Sequence, residues 1–310
     1  MFDFITPQKK YHTLDFYLKK TYQSKVFKVS LNGDFTCPNR DGTISRHGCI
    51  FCSEEGSGDF AGERGKPLTI QFNTIRNIIH HKWPNAKYIA YFQANTNTYG
   101  PIEKLKSLYE EAINLDPNIV ILSIATRPDC LNDEVIEYLA SLNQKIKVWV
   151  ELGLQTINEQ TQKFLNLGYS TKDLVNAVNR LRKYNIDCIA HIINGLPNET
   201  FDDMINTAKF LNTLDLQGVK IHSLYIQKNT ILSKIYEQNP FKLLTLEEYV
   251  DIVVKQLCLL NPSFVIHRIN GDPPRDELVA PEWVLKKFVI MNEIDKKMRV
   301  DNLYQGIYYK

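Results

Sequence analysis

The segment from Cys37 to Cys52 reads CPNRDGTISRHGCIFC and carries three of the chain's six cysteines in the spacing C-x11-C-x2-C. It belongs to residues 32–67, a stretch rich in Gly, Asp, Asn and Ser that follows a short apolar run at 26–31. A loop of this length is uncommon in a compact domain and is usually functional. The sequence therefore predicts a functional loop directly after the first strand.

Two metal centres are consistent with three clustered thiols. A structural zinc site takes four protein ligands, and His47 is available as the fourth. An iron–sulfur cluster on three thiolates leaves one iron with an open coordination position, where chemistry can take place. Of the scattered cysteines, Cys188 falls in a predicted strand and Cys258 in a predicted helix, where a free thiol is a small buried hydrophobe. The loop alone leaves both metal centres open.

Beyond the loop, short β-branched runs alternate with longer amphipathic stretches, a pattern typical of βα units around a parallel sheet. Six strands are fewer than the eight of a closed barrel, so the predicted fold class is α/β, a partial (β/α)6 TIM-like barrel. The predicted strands are 26–31, 88–93, 119–125, 147–154, 187–193 and 217–224. The predicted helices are 68–82, 102–115, 131–142, 157–166, 171–185, 200–214 and 245–260.

The segment after residue 261 lies outside this repeat. VIHRI at 265–269 predicts one more strand, GDPPRDELVAP a polar loop, and 282–299 a helix. The sequence thus predicts a partial barrel over 1–261, including the cysteine loop, and a C-terminal cap over 262–310 that packs on the barrel.

Composition limits the classes of protein. With 310 residues, 44% hydrophobic and 23% charged, the chain is not expected to be disordered. No apolar run is long enough to cross a bilayer and the first residues lack a signal-peptide core, so we expect a cytoplasmic protein without a membrane partner. A formal charge of +2 does not indicate nucleic-acid binding, but two local groups of basic residues could contact phosphates. They are Lys9, Lys10, Lys19 and Lys20, and Lys286, Lys287, Lys296, Lys297 and Arg299.

Polar residues follow the predicted strands where a partial barrel would hold its site. Gln93, Asn95, Thr96 and Asn97 come after the second strand in YFQANTNTYG, which is more polar than a turn requires. SIATRPD ends the third predicted strand, and its Arg127 has a bidentate fork that suits a carboxylate, although a surface salt bridge is the alternative.

Two ionisable residues lie inside apolar strands. Glu151 in VWVELGL must find a partner or accept a large desolvation penalty, which indicates a functional acid or a structural ion pair. His191 opens HIINGLPNET, and it is a site residue or a satisfied core histidine.

Several motifs together resemble the radical S-adenosylmethionine (radical SAM) superfamily. The three-cysteine loop after the first strand has an aromatic, Phe51, just before its last cysteine, and five further βα units follow. The long first gap, VELGLQ at 150–155 and HIINGLPNET at 191–200 are similar to the elongator-subunit-3-like branch. CPNRDGT, YFQANTNTYG, TRPDCL, and HRINGDPP with VAPEW resemble the bacterial YhcC/YtqA-type family. The resemblance, from about residue 10 to 290, favours the iron–sulfur cluster over zinc.

The resemblance implies a [4Fe–4S] cluster on Cys37, Cys49 and Cys52 that cleaves SAM to a 5′-deoxyadenosyl radical, with electrons from a donor such as flavodoxin or ferredoxin. The residues implied to contact SAM are Phe51, Gln93, Asn95, Thr96, Ser123, Arg127, Glu151, Gln155, His191 and Asn194. Those expected on the substrate side are Asn97, His267, Arg268 and Asp272, the last three with a capping hairpin as the alternative. No catalytic residue is assigned.

One segment departs from the family pattern. LNLGYST at 165–171 has Leu167 and Tyr169 where the resembling proteins often show an R-G-H-like turn, so a SAM contact at that turn is not carried over.

The resemblance also implies a substrate. The elongator-like branch acts on the wobble uridine of transfer RNA, and the closer family is linked with the same uridine. This implies tRNA as the partner and conversion of a 5-carboxymethylaminomethyl group to aminomethyl. The alternatives are radical chemistry on a small metabolite and a zinc- or cluster-binding module without catalysis.

Overall fold

The computed structural model describes residues 2–310, and its main feature is a parallel sheet. The strands in this range are β1 (Val26–Leu31), β2 (Lys87–Phe92), β3 (Ile119–Thr126), β4 (Lys147–Gln155), β5 (Asp187–Asn194), β6 (Gly218–Ser223), β7 (Ile226–Gln227), β8 (Val265–Arg268) and β9 (Leu278–Ala280). Within it, seven strands pair in parallel in the order β1-β2-β3-β4-β5-β6-β8, while β7 and β9 form a separate antiparallel pair.

Helices follow most strands and cover the outer face of the sheet. They are α1 (Leu14–Tyr22), α2 (Leu68–Lys82), α3 (Ile102–Ile113), α4 (Asp133–Asn143), α5 (Glu159–Phe164), α6 (Thr171–Arg182), α7 (Phe201–Leu211), α8 (Ile231–Gln238), α9 (Leu246–Leu259) and α10 (Lys287–Val300). Across residues 2–310, no helix combines the length and apolar character needed to cross a membrane.

The partial-barrel prediction is confirmed, and each of the six predicted strands lies within one residue of its predicted bounds. The predicted tail strand is also present as β8. It pairs in parallel with β6, with Gly218 opposite Val265, so a segment predicted as a cap supplies the seventh strand of an open half-barrel. The division of the chain at residue 261 stays a prediction.

Three helical features differ from the sequence-based expectations. Neither α1 nor α8 was predicted. The predicted helix 282–299 begins instead with a short 3-10 turn, Glu282–Leu285, because Lys286 leaves the helical conformation with ψ 52° and α10 starts after it.

The strands place apolar side chains outward, and inward they place both polar side chains and a smaller apolar cluster. On β4, Val148, Val150 and Leu152 pack in the core between sheet and helices, whereas Glu151 faces the inside of the half-barrel. Successive side chains of a strand point to opposite faces, so this alternation follows directly from the sequence. Trp149, also inward, belongs to a smaller apolar cluster beneath Glu151.

The segment before α1 pairs with the edge strand β8. The backbone N–H of Ile266 donates to His12 O at 2.8 Å, and Thr13 forms an isolated parallel bridge with the same residue. Gln305 secures this segment, since its N–H donates to Lys10 O at 2.9 Å and its Oε1 accepts from His12 N at 2.9 Å. We call this contact between residues 10–13, β8 and Gln305 the seam.

Candidate active site

The inside of the half-barrel contains a cavity of about 400 Å³, which we call the barrel cavity. Its wall is formed by side chains from β1 to β6, from β8 and from the cysteine loop. Parallel strands bring their carboxyl ends to one edge of a sheet, which is where ligands bind in such folds.

Cys37, Cys49 and Cys52 all line the barrel cavity. The loop that carries them is held against the turn after α5, because Ile50 N donates to Leu165 O at 3.1 Å and Asn166 Nδ2 donates to Gly48 O at 2.7 Å. The segment that lacks the family's basic turn thus supports the cysteine loop instead.

The pKa values of Cys49 and Cys52 are shifted in opposite directions. A hydrogen bond between Cys49 and Cys52, with burial, raises the pKa of Cys49 well above its ordinary value. The same hydrogen bond lowers the pKa of Cys52 to about 7, and Ser57 Oγ lies 3.3 Å from its sulfur. A lowered pKa favours the thiolate, which is the form that ligates metals.

The residues present fit a three-thiolate cluster better than zinc. Among residues 2–310, no three Cys, His, Asp or Glu side chains, Cys37, Cys49 and Cys52 included, converge closely enough to hold a single metal ion. His47, considered above as a fourth zinc ligand, is exposed and lies outside the barrel cavity. Three cysteines that line one cavity match a cluster, in which each thiolate binds a different iron and one iron stays open.

Of the polar residues predicted at the strand ends, Gln93, Asn95, Thr96 and Gln155 line the barrel cavity, and the backbone N–H groups of Asn95 and Thr96 donate to Gly56 O and Thr36 O of the cysteine loop. Asn95 and Gln155 adopt left-handed backbone conformations, with φ of 60° and 67°. Side chains other than Gly rarely adopt this conformation, and such residues cluster at functional sites. Phe51 lies on the same wall.

Three other predicted residues do not line the barrel cavity. Asn97 is fully buried and its Nδ2 donates to Ala125 O at 2.8 Å. Asn194 exchanges two side-chain hydrogen bonds with Gln256, each 2.8 Å long. Ser123 Oγ donates to Glu151 Oε1 at 2.7 Å. Their predicted contacts with SAM or substrate stay predictions.

Arg127 lines the barrel cavity, but its guanidinium group already donates hydrogen bonds to other residues of the protein. Its Nε and Nη2 donate to the two carboxylate oxygens of Asp129 at 3.0 and 2.8 Å, and its Nη1 donates to Leu167 O at 2.7 Å. Tyr169 stacks on the guanidinium at 4.8 Å. Tyr169, in the LNLGYST segment, therefore packs against a cation.

Glu151 is fully buried at the floor of the barrel cavity and accepts four hydrogen bonds. Its Oε1 accepts from Lys28 at 2.5 Å and from Ser123, and its Oε2 contacts Lys220 and, at 2.9 Å, His191 Nε2. A carboxylate has about four acceptor positions, so Glu151 has none left for a ligand. The two lysines hold the pKa of Glu151 well below its usual range against the effect of burial.

The histidines of the floor favour their neutral form. Burial is the first cause in each case; it lowers the pKa of His191 to about 4 and the pKa values of His222 and His267 well below normal. Burial likewise lowers the pKa of Lys220.

Lys28 and Lys220 are floor residues that the sequence analysis missed. Each is a lysine inside an apolar strand, in VFKVSL and GVKIHS, which is the same signal that singled out Glu151. If basic as well as acidic residues inside apolar strands are taken as candidates, the sequence identifies Lys28, Lys220 and Glu151.

The predicted substrate-side residues of the tail do reach the barrel cavity. His267, Arg268 and Asp272 all line it. His267 Nε2 is 2.7 Å from Gln217 Oε1, and the ring packs edge-on against Trp149 at 5.0 Å. Arg268 Nη2 lies 3.8 Å from Asp272 Oδ2.

Most lysines of the two basic groups are paired with carboxylates. Lys287 is 3.4 Å from Asp272 and Lys297 is 3.0 Å from Asp251. Lys296 pairs with Glu293, Lys9 with Asp295, Lys19 with Asp15 and Lys20 with Asp3. Such pairs reduce the positive field available to a phosphate backbone.

An open half-barrel with three cysteines at its mouth defines a class of protein, and comparison with known proteins identifies it. The model of the radical SAM superfamily matches residues 42–211, and that of the Radical_SAM C-terminal domain matches residues 216–300. The chain therefore belongs to the radical SAM superfamily and, within it, to the family of YtqA and YhcC.

Two relatives and one structure illustrate this. The chain is 46% identical to YtqA of Bacillus subtilis over 309 residues, which cover 100% of this chain and 96% of YtqA. It is 33% identical to YhcC of Escherichia coli over 90% of this chain and 89% of YhcC. The structure of the archaeal Elp3 of Methanocaldococcus infernus, 18% identical, superposes with a TM-score of 0.69 over 91% of this chain and 64% of that one.

Proposed function

We propose that this radical SAM enzyme modifies the wobble uridine of tRNA, converting a 5-carboxymethylaminomethyl group to aminomethyl. The observation that supports the proposal best is the barrel cavity itself. It brings the three cysteines of the loop and the floor residues Lys28 and Lys220 into one space, so a group on the substrate can meet a reagent generated at the cysteines.

Cys37, Cys49 and Cys52 would hold the [4Fe–4S] cluster, which together with SAM supplies a carbon radical able to remove a hydrogen atom from the substrate. The task of the protein is positioning. Gln93, Asn95, Thr96 and Gln155 present amide and hydroxyl groups beside the cysteine wall, where they can orient the polar groups of SAM.

An aromatic side chain at the cavity supports a nucleobase as the entering group. Phe60 is 56% exposed and also lines the barrel cavity. Proteins bind splayed-out RNA bases by stacking them on exposed aromatic rings. The wobble base belongs to the single-stranded anticodon loop, so it can leave its neighbours and enter. The resemblance to the elongator-like branch supplies the particular uridine.

Chemistry on a small metabolite is the second candidate, and the paired basic groups favour it. With most of those lysines neutralised by carboxylates, the surface offers few free cations to an RNA backbone.

Nucleoside analysis of a gene-deletion strain tests the proposal. Mass spectrometry of digested tRNA should show the carboxymethylaminomethyl nucleoside accumulating while the aminomethyl-derived one is lost. Unchanged profiles, in a host that carries the modification and has no second copy of the gene, would favour the metabolite. Purified enzyme assayed anaerobically for SAM cleavage with and without bulk tRNA gives an independent measurement.

A further inference from the structure

The floor of the barrel cavity has more basic side chains than carboxylates. Lys28 and Lys220 share a single carboxylate, that of Glu151. Arg268 and Asp272 add one charge of each sign. The floor thus has one basic side chain more than it has carboxylates. Burial and the neighbouring Lys28 lower the pKa of Lys220, because its ammonium group lacks an anion of its own.

Several donors at this floor are unused. An ammonium group has three N–H donors. Lys28 uses one on Glu151 and otherwise lies over the Tyr91 ring at 4.3 Å, and Lys220 uses one on Glu151 and one on Tyr91 Oη at 3.2 Å. His222 Nε2 is buried without a hydrogen-bond partner.

A surplus cation in a buried site is costly unless an anion or several hydrogen bonds compensate it. Glu151 cannot provide more, since its acceptor positions are filled. The missing partner must come from the cavity side, where Lys28, Lys220 and His222 all face.

We propose that Lys28 and Lys220 form a binding site for a carboxylate group of the substrate. The identity of that carboxylate rests on the proposed function, in which the substrate has a carboxymethyl group and the product has none. The lysine pair therefore distinguishes substrate from product. Loss of the carboxylate leaves the pair with only Glu151, which favours release of the product.

The test compares two synthetic anticodon stem-loops that differ only in the wobble nucleoside, 5-carboxymethylaminomethyluridine or 5-aminomethyluridine. Fluorescence anisotropy should show wild-type protein binding the first about tenfold more tightly or better, as expected for charged hydrogen bonds in a buried site. Lys28→Met and Lys220→Met should each remove most of that preference. Each variant leaves Glu151 one cationic partner, so the fold should survive, which thermal unfolding verifies.

Lys172→Met is the matched control, because Lys172 is exposed on α6 and its replacement removes the same charge outside the barrel cavity. The control should keep the wild-type preference. SAM also has a carboxylate, so its affinity is measured in every variant. A fall in SAM affinity that equals the loss of preference would assign the lysines to the cofactor and overturn the proposal.

The remaining outcomes separate this inference from the proposed function. If the wild type prefers the carboxylate stem-loop and both Met variants keep the preference, the lysine site is wrong while the tRNA substrate stands. If no stem-loop binds, the tRNA substrate fails, and thermal stabilisation by N-methylglycine relative to N-methylglycinamide decides the site. Stabilisation that depends on Lys28 and Lys220 supports it, and equal effects of the acid and the amide overturn it.

Discussion

The thiols on one wall of the barrel cavity predict which cysteines bind iron. After anaerobic reconstitution we expect about four irons per chain. Replacing Cys37, Cys49 or Cys52 by Ala should abolish the cluster, because three ligands leave no redundancy. Cys258→Ala is the control, since this thiol is buried in α9 away from the cavity. Iron content and charge-transfer absorbance report the result, and stoichiometric zinc in protein prepared without oxygen would contradict it.

His191 predicts a pH dependence of stability. Burial lowers its pKa to about 4, whereas an unfolded histidine titrates near 6.5, so between these values the unfolded chain binds a proton that the folded chain does not. The free energy of unfolding should therefore fall as the pH drops through this window, by up to about 1.4 kcal/mol per pH unit for each such histidine. Urea denaturation at several pH values measures the slope.

The control for this prediction is His191→Gln, which keeps a neutral donor near Glu151 but cannot titrate. Its slope should be smaller than that of the wild type by about one proton's contribution. His222 and His267 shift in the same direction and are unchanged in the variant, so some slope persists. Equal slopes for the two proteins would show that His191 titrates normally.

The contact between the cysteine loop and the end of β2 depends on a glycine. Gly56 has φ of +63°, and a Cβ there would lie 2.1 Å from Asn95 Oδ1. We expect Gly56→Ala to displace Asn95 and weaken SAM binding several-fold, measured by equilibrium binding to cluster-loaded protein.

Gly65 provides a matched control for that substitution. It too has a positive φ, +76°, but a Cβ there meets no atom within 4 Å. Gly65→Ala therefore introduces the same kind of backbone strain, about 1 kcal/mol, without the collision. If both variants bind SAM equally well, Asn95 does not take part in holding the cofactor.

Much of the fold was predictable because a strand covered on its outer face by helices must alternate or be wholly apolar. That requirement located β1 to β6 and even β8 as strands. The partner of β8 was not predictable, since pairing with β6 depends on contacts across more than forty residues, from Gly218 to Val265. At the site, a charged residue inside an apolar strand is recognisable from the sequence, as at Glu151, Lys28 and Lys220, but the sequence does not show that these three pair with one another.

The whole surface predicts how an RNA would bind. Because most lysines of the two basic groups are paired with carboxylates, recognition of an RNA has to rely on residues that line the barrel cavity. Phe60 is the most exposed aromatic residue among them. Phe60→Ala should weaken tRNA binding by about 1–3 kcal/mol, as for loss of one base stack, while SAM cleavage in the absence of tRNA is unchanged. Phe288, 78% exposed on α10, lies outside the cavity, so Phe288→Ala is the control. Equal affinities of both variants would contradict stacking on Phe60.

The seam has a consequence for how the chain is made. Residues 10–13 leave the ribosome long before their partners on β8 and at Gln305, which is 293 residues later for the bond between His12 and Gln305. Until then the β8 side of the sheet cannot be completed, and an interrupted chain exposes an unpaired edge that invites aggregation. The seam can therefore form only after the chain has been synthesised through Gln305.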